Sequence, residues 1–294
     1  MSPGLAAPRH PGTLLRQKIE ARRGLVVPGA ANALAARVIE DLGFEAVYLS
    51  GAGLTNTFYG IPDLGFVHLG DLAQHTAALR DAVALPIVVD ADTGFGNALN
   101  VQHAVRTLER AGANAIQLED QVSPKKCGHF EGKGVIAQDE MRGKVKAAVD
   151  ARLHADFLVI ARTDAAAVEG LDAAIARAAA YAEAGADITF VEAPESVEAL
   201  RRIPRELACP QVVNVVIGGK TPTLDAAEFG AMGFGLVLYA NAALQGAVRG
   251  MTLALQALRD GGRLDEASGL VATFAERQAL VRKKEFDALE QRYA

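Results

Sequence analysis

The sequence EDLGFEAVYL at residues 40–49 decides the fold class, because a helical segment ends there at Gly43 and an apolar run follows almost at once. The same order of helix, glycine and apolar run returns at 110–118 (RAGANAIQL), 184–191 (AGADITFV) and 232–238 (MGFGLVL). Glycine just after a helix adopts the left-handed conformation that ends the helix. The repeated pattern therefore predicts consecutive helix–strand units.

Further strands are predicted at 25–27, 87–90, 157–162 and 212–215, which makes eight in all. Apolar runs of about four to six residues between helical segments are typical of parallel strands covered by helices. Eight such units in 294 residues favour an α/β fold, a (β/α)₈ TIM-type barrel with additional C-terminal helices. An open dinucleotide-binding sheet is disfavoured because the first strand–helix turn lacks the Gly-x-Gly-x-x-Gly pattern.

The whole chain, residues 1–294, is therefore predicted to be a single α/β-barrel domain. Residues 245–294 form a C-terminal helical extension in this prediction, with helices at 245–260 and 268–293. These helices either pack on their own barrel or dock between subunits, and the second interpretation gives them a role in oligomerisation.

Composition excludes several classes of partner. Half of the residues are hydrophobic, the formal net charge is -5 and the pI is near 5.7, so the chain lacks the basic stripe of a nucleic-acid-binding protein. No apolar run reaches about 18 residues, the length that crosses a bilayer. Residues 1–11 lack the order of a secretory signal, and the two cysteines, Cys127 and Cys209, fit a reducing compartment. We expect a cytoplasmic protein with no nucleic-acid or membrane partner.

Polar side chains end nearly every predicted strand. In a parallel barrel the C-terminal ends of the strands build the active site. The residues at these ends are Tyr48 and Ser50, Asp90 and Asp92, Glu119 and Asp120, Arg162, Glu192 and Asn214. Surface turns also supply polar residues, but acids, an arginine and an amide together indicate one shared site.

Asp90 and Asp92 follow an apolar run in VVDADTGFG (88–96). On an extended segment, residues at i and i+2 point to the same side. Carboxylate oxygens with room for water are the ligands that Mg²⁺ prefers. Aspartate also begins ordinary turns and helix caps, so a simple turn is the alternative. Taken with the other strand ends, the pair favours a magnesium site.

Cys127 lies in KKCGH (125–129), beside two lysines and a histidine. Neighbouring cations favour the thiolate, whereas apolar burial opposes it. A solvated basic loop that happens to contain a cysteine is the alternative interpretation. Beside an acidic cluster, the loop indicates a cysteine that exchanges protons, and Gly128, Gly132 and Gly134 would let the segment close as a lid.

Six motifs are distinctive: VYLSG (47–51), GIPD (60–63), DADTGFG (90–96), LEDQ (118–121), KKCGH (125–129) and ARTDA (161–165). They resemble the motifs of the isocitrate lyase/phosphoenolpyruvate mutase superfamily, and the similarity spans roughly residues 13–290. The cysteine-bearing loop is typical of the lyase branch, since mutase and decarboxylase members lack the cysteine. The resemblance implies an α/β barrel, Mg²⁺ or alternatively Mn²⁺, and cleavage of a carbon–carbon bond next to a carboxylate through an enolate.

The resemblance also implies roles for individual residues. The implied metal ligands are Asp92, which would bind directly, and Asp90, Asp63 and Glu119, which would hold the metal's waters. The implied catalytic residues are Cys127, Lys126, His129, Glu192, Tyr48 and Arg162. Cys127 would protonate the enolate carbon, with Lys126 and His129 shaping its loop. The base stays open between Glu192, Tyr48 and a metal-bound water.

The substrate-binding residues implied by the resemblance are Ser50, Gly51, Ala52, Gly128, Arg162, Asn214 and Thr221. Ser50 and its neighbours would donate hydrogen bonds to a substrate carboxylate, and Arg162 would clamp it with two parallel hydrogen bonds. The expected partner is a small carboxylic acid. The resemblance further implies a homotetramer that exchanges its C-terminal helices between subunits.

Two positions depart from the family pattern. Gln245 stands where methylisocitrate lyases place an arginine, and Ile217 stands where related lyases usually place a glutamate. Together with Leu244 they predict an apolar wall that suits a third carboxylate poorly. We therefore predict a lyase for a substituted malate of the dimethylmalate or alkylmalate kind, or an enzyme that cleaves oxaloacetate.

Methylisocitrate lyase, which forms pyruvate and succinate, is the first alternative. A phosphonopyruvate mutase or hydrolase, or an oxaloacetate decarboxylase, is a further one, and Cys127 argues against the phosphonate reactions. A protein that only binds an oxo acid would be expected to lack the acid, the metal ligands or the arginine, and this sequence has all three.

Overall fold

The computed structural model of the protein describes residues 10–128 and 130–294. Its strands are β1 Leu25–Ala30, β2 Val47–Leu49, β3 Ile87–Asp90, β4 Ala115–Glu119, β5 Leu158–Thr163, β6 Ile188–Val191, β7 Gln211–Asn214 and β8 Leu236–Tyr239. They pair in parallel and in chain order, and β8 closes the barrel against β1. The predicted barrel is confirmed: β3 has the predicted bounds, whereas β1 runs on to Ala30.

Helices follow the strands around the outside of the barrel. The α-helices are α1 Pro11–Glu20, α2 Ala33–Asp41, α3 Gly51–Leu54, α4 Leu69–Ala82, α5 Ala98–Arg110, α6 Gln138–Ala151, α7 Leu171–Glu183, α8 Val197–Glu206, α9 Ala226–Met232, α10 Ala242–Gly261, α11 Phe274–Leu280 and α12 Lys283–Tyr293. Short 3₁₀-helices lie at Ala165–Ala167 and Glu266–Ser268, and a π-helical turn lies at Thr55–Tyr59. Within the described residues, no helix is both long and apolar enough to cross a membrane.

Apolar side chains fill the barrel interior towards the N-terminal ends of the strands. Val88, Ile160 and Phe190 point inward and form one buried cluster with Leu15 and Ile19 of α1. Burying one such side chain stabilises the fold by about 1.5–3 kcal/mol. Helix α1 therefore closes the N-terminal end, and the polar strand ends are left at the opposite, C-terminal end.

The C-terminal helices pack only loosely on the barrel. None of the residues in α10, α11 and α12 is buried, and apolar side chains such as Met251 and Phe286 are 56% and 60% exposed. The segment predicted as helical at 268–293 is interrupted at Arg282, whose φ is +58°. A left-handed residue other than glycine cannot continue an α-helix, so two short helices form there.

Candidate active site

Asp90 and Asp92 converge at the C-terminal end of β3, but not through the extended geometry that the sequence predicts. Asp90 ends the strand, whereas Asp92 has a left-handed backbone with φ of +48°. This turn lets the Asp92 amide donate to Asp90 Oδ1 at 3.3 Å. A β carbon built on Gly51 would lie 3.3 Å from a carboxylate oxygen of each aspartate. The prediction of an extended pair was therefore wrong, although both carboxylates do reach one place.

Lys125 carries the positive charge inside this acidic cluster. Its Nζ lies 2.7 Å from Asp63 Oδ2 and 2.8 Å from Asp92 Oδ1. Burial alone would lower the pKa of Lys125, but the surrounding carboxylates outweigh burial and raise this pKa well above its usual value. Burial raises the pKa of Asp92 to about 7, even though Lys125 opposes that rise. A permanently charged ammonium thus holds the carboxylates together.

The donor set around Asp92 fits a hard divalent cation bound partly through water. Glu119 is buried, and its Oε1 has no hydrogen-bond partner among the described residues. In residues 10–128 and 130–294, no three or more His, Cys, Asp or Glu side chains are grouped to hold a metal ion by themselves. Mg²⁺ usually binds through one or two carboxylates and keeps several waters. One direct carboxylate with others behind water is therefore the arrangement that these residues fit.

Arg162 lies beside the acidic cluster, and most of its guanidinium is already engaged. Its Nε and Nη2 bond the Asp164 carboxylate at 2.9 and 3.0 Å. Its Nη1 lies 3.3 Å from Glu119 Oε2, because β4 and β5 pair with these two residues in register. Burial would lower the pKa of Arg162, but the adjacent carboxylates raise it well above its ordinary value. Asp164 thus binds the Nε–Nη2 side of the guanidinium that was predicted to clamp a carboxylate. A substrate carboxylate would have to bind at the Nη1–Nη2 edge.

Segment 122–128 brings Cys127 to the C-terminal end of the barrel. The Gln121 side chain fixes the segment, because it donates to Lys126 O at 2.8 Å and accepts from Lys126 N at 3.0 Å. Gly128 then packs against Arg162 and Glu192. A β carbon on Gly128 would overlap Arg162 Nη2 and lie 2.5 Å from Glu192 Oε1. A larger residue at this position would force Arg162, Glu192 or the segment itself to shift.

A small cavity at the strand ends brings most of the predicted site residues together. Those that line it are Tyr48, Ser50, Ala52, Asp63, Asp90, Lys126, Cys127, Gly128, Arg162, Glu192 and Asn214. Its volume of about 40 Å³ is far below the roughly 300–1,000 Å³ of pockets that bind drug-sized ligands. The described conformation therefore leaves little free space at the strand ends.

The other predicted site residues lie behind the cavity wall or away from it. Gly51 donates to Asp90 Oδ2 at 3.3 Å, while Asp92 and Glu119 contact Lys125 and Arg162 as described above. Ser50 has a structural task as well, since its Oγ caps α3 by accepting from Gly53 N at 3.0 Å. Thr221 is buried but does not border the cavity. His129 lies outside the described residues.

Several residues of the cavity wall were not predicted from the sequence, among them Gln117, Phe190 and Asn241. Gln117 stands two residues before Glu119 on β4 and so shares its face, a relation that could have identified it. Tyr48 donates its hydroxyl to Gln117 Oε1 at 2.8 Å, and Gln117 Nε2 donates to Asp90 Oδ1 at 3.2 Å. Burial, followed by the charge of Asp90, raises the pKa of Tyr48 well above its usual value. Tyr48 is therefore a neutral donor in this site.

The family model of phosphoenolpyruvate phosphomutase matches residues 15–259 of the chain. The chain belongs to this family. A 2,3-dimethylmalate lyase of Eubacterium barkeri is 41% identical to it over 280 residues, which cover 95% of this chain and 97% of the relative. A 2-methylisocitrate lyase of Aeropyrum pernix is 45% identical over 253 residues, 86% of this chain and 81% of the relative. The prediction of a carbon–carbon lyase of the isocitrate lyase/phosphoenolpyruvate mutase superfamily is confirmed.

Solved structures agree with this assignment. A 2,3-dimethylmalate lyase superposes with a TM-score of 0.91 at 33% identity, covering 98% of this chain and 96% of the other. An oxaloacetate acetylhydrolase bound to 3,3-difluorooxalacetate gives 0.90 at 31%, with 96% of each chain covered. A phosphonopyruvate hydrolase in complex with oxalate and Mg²⁺ gives 0.87 at 30%, covering 97% and 99%.

In this member of the phosphoenolpyruvate phosphomutase family, the predicted apolar wall does not form. Ile217 is 53% exposed, and of the described residues it is Val216 that borders the cavity, whereas Ile217 and Leu244 do not. Gln245 is exposed and reaches the Ile217 carbonyl oxygen at 3.4 Å. Apart from Ala52, the aliphatic and phenyl side chains that do line the cavity come from β6, β8 and the residues after β7 and β8: Phe190, Val216, Leu238 and Ala240.

Proposed function

We propose that this protein is a Mg²⁺-dependent lyase that cleaves a substituted malate of the 2,3-dimethylmalate kind. One observation carries the proposal: the thiol-bearing segment packs through Gly128 onto Arg162 and Glu192, beside the carboxylates that fit a divalent cation. The relative named 2,3-dimethylmalate lyase supports this choice of substrate, since the match spans nearly both chains. Mn²⁺ is the alternative ion.

The chemistry demands an acid, a base and stabilisation of negative charge. The base takes the proton of the 2-hydroxyl group, C2 becomes a carbonyl as the C2–C3 bond breaks, and C3 is left as the enolate of a carboxylate. A proton delivered to C3 completes the reaction, so one proton is removed and one is returned. From 2,3-dimethylmalate the products are pyruvate and propionate. When bound, Mg²⁺ supplies stabilisation of the negative charge that develops on oxygen.

The side chains divide these tasks by their chemistry. Cys127 is the proposed acid, because a thiol can give up its proton and recover it near neutral pH. Glu192 is the proposed base, since Tyr48 keeps its proton at a raised pKa and donates a hydrogen bond to Gln117 Oε1. Arg162 presents fixed donors in a buried site, where such charges stabilise a developing anion most strongly.

The charges of the cavity favour two substrate carboxylates over three. Among the described lining residues the cations are Lys125, Lys126 and Arg162. Lys125 already pairs with Asp63 and Asp92, and Arg162 pairs with Asp164. Few positive charges are left for substrate, which supports a malate-type dicarboxylate.

Two related reactions follow from specific comparisons. Cleavage of methylisocitrate is the second candidate, because a relative of that name is 45% identical. Hydrolysis of oxaloacetate to oxalate and acetate is the third, because an oxaloacetate acetylhydrolase superposes closely. Both reactions break the bond between the oxygen-bearing carbon and its neighbour, and both leave that neighbour as an enolate.

Product release from a panel of acids tests the proposal. Purified protein with Mg²⁺ is given malate, citramalate, 2,3-dimethylmalate, methylisocitrate, isocitrate, oxaloacetate and phosphonopyruvate, and 2-oxo acid and oxalate are measured. We expect 2-oxo acid from the substituted malates. Turnover of methylisocitrate in preference to them would reject the charge argument, and no product from any acid would reject the lyase proposal for this panel.

We propose in addition a cytoplasmic homotetramer that exchanges C-terminal helices. The wholly unburied α10 to α12, with exposed Met251, Leu255 and Phe286, support it because large apolar patches on a single chain usually mark an interface. Light scattering of the intact protein and of a chain ending at residue 261 tests it. A tetramer in both samples would contradict a role for α11 and α12.

A further inference from the structure

Lys133 is a buried cation that neither the sequence motifs nor the proposed mechanism uses. Its side chain is only 2% exposed, and its Nζ lies 2.8 Å from Asp164 Oδ1. The same ammonium donates a hydrogen bond to the carbonyl oxygen of Gly128. Lys133 therefore links Gly128, the residue after Cys127, to Asp164, the residue that binds Arg162.

Asp164 is a rigid anchor for this contact. Its backbone amide donates to Asp120 Oδ1 at 2.9 Å, and Asp120 also accepts from Thr163 Oγ1 and Tyr181 at 2.7 Å each. Burial would raise the pKa of Asp164, but Arg162 and Lys133 outweigh burial and lower it. The carboxylate thus stays charged, and it orients Arg162 on one side and Lys133 on the other.

Both partners of Lys133 adjoin the site. Burying an ammonium is costly unless it is paired and hydrogen-bonded, and the two groups that compensate it here are the Asp164 carboxylate and the Gly128 carbonyl. The geometry of Gly128 also depends on the contact, since this glycine must stay within its close approach to Arg162 and Glu192.

We propose that Lys133 is a positioning residue, which ties the Gly128 carbonyl to Asp164 and so sets the position of the Cys127 thiol relative to Arg162. The inference rests on the proposed function for its role in turnover. The position of Cys127 can be tested without any substrate, because the accessibility of its thiol to a labelling reagent depends on that position.

Alkylation of Cys127 by iodoacetamide is the test, followed by peptide mass spectrometry in the intact protein. We expect Lys133→Met to raise the labelling rate of Cys127 by roughly ten- to a hundredfold, the factor for losing one hydrogen bond to a charged group. Loss of a nearby cation disfavours a thiolate, so a purely electrostatic effect would slow labelling. Faster labelling of Cys127 therefore indicates that the segment is released, whereas slower labelling indicates an electrostatic effect alone.

The same sample contains its own control for unfolding. Cys209 is half-buried just before the start of β7, at the N-terminal end of the barrel, where it contacts Thr189 and Gln211, so its labelling should not change. A parallel rise at both cysteines, or no rise at Cys127, would overturn the proposal. Lys146→Met, which removes an exposed lysine of α6, should leave both rates unchanged.

A kinetic measurement adds the catalytic part. On the acid that the panel identifies, Lys133→Met should lower kcat with little change in KM, because Arg162 keeps its hydrogen bonds to Asp164 while the thiol is displaced. Lys133→Arg, which keeps the charge, should recover most of the turnover, and equal losses in both variants would overturn the role of the charge. A wild-type protein that cleaves no acid would refute the proposed function and leave the labelling result to decide the position of the thiol.

Discussion

Gly128→Ala is the sharpest perturbation of the site that the structure offers. An added β carbon would overlap Arg162 Nη2 and lie 2.5 Å from Glu192 Oε1 and 2.7 Å from Glu192 Cγ. Gly128 is not among the glycines with a left-handed backbone, so alanine is allowed by its φ. The effect of the substitution therefore comes from the contact alone.

The expected magnitude follows from these distances. Relieving them to ordinary contact requires the thiol segment or the two side chains to move by about 1 Å. A misplacement of about 1 Å can reduce catalysis about 100-fold. Overpacking costs about 1–3 kcal/mol of stability, which for a chain of this size lowers Tm by only a few degrees.

Initial rates of 2-oxo acid release and thermal unfolding are measured side by side. Gly134→Ala is the matched control, because it lies in the same loop and its added β carbon would meet Val122 at 3.5 Å, an ordinary contact. We expect the control to keep its turnover while Gly128→Ala loses it. Normal turnover in Gly128→Ala would refute the claim that the segment packs on Arg162 and Glu192 during catalysis.

Two further outcomes follow from buried groups. Burial raises the pKa of Asp92 to about 7 in the metal-free protein. Because a ligand carboxylate must lose its proton, the affinity for Mg²⁺ should fall by about tenfold per pH unit below pH 7. Equal affinities in calorimetric titrations at pH 6 and pH 8 would contradict this prediction. Tyr181→Phe removes a 2.7 Å hydrogen bond to buried Asp120 and should reduce the free energy of unfolding by about 1.5–3 kcal/mol. Denaturant unfolding beside Tyr59→Phe, a half-exposed tyrosine, checks this, and equal stability of the two variants would argue against it.

The barrel and the location of the site were predictable because both depend on local patterns. Glycine-ended helices followed by apolar runs specify the order of the elements. A closed parallel barrel then gathers every strand end at one rim. Asp90, Glu119 and Arg162 were therefore identified as neighbours from sequence, and the register of β4 and β5 places the last two side by side.

The ion pairs inside the site were not predictable in the same way. Lys125 finds Asp63, which lies 62 positions earlier, and Lys133 finds Asp164. The partner of a long side chain depends on which groups the fold brings close to it, and the spacing of residues in the sequence does not predict that proximity. The left-handed turn at Asp92 and the exposed position of Ile217 depend likewise on local hydrogen bonds and loop geometry.

Cleavage of 2,3-dimethylmalate in deuterated water, with Mg²⁺ and with wild-type or Cys127→Ser protein, tests whether Cys127 protonates an enolate. We expect pyruvate and propionate from the wild type, with one deuterium on the carbon next to the propionate carboxylate. We expect Cys127→Ser to lose at least about 100-fold in rate, the lower range for removing a general acid, while its Tm and Mg²⁺ binding are kept. Near-normal turnover of Cys127→Ser, or propionate without deuterium, would contradict protonation of an enolate by this thiol.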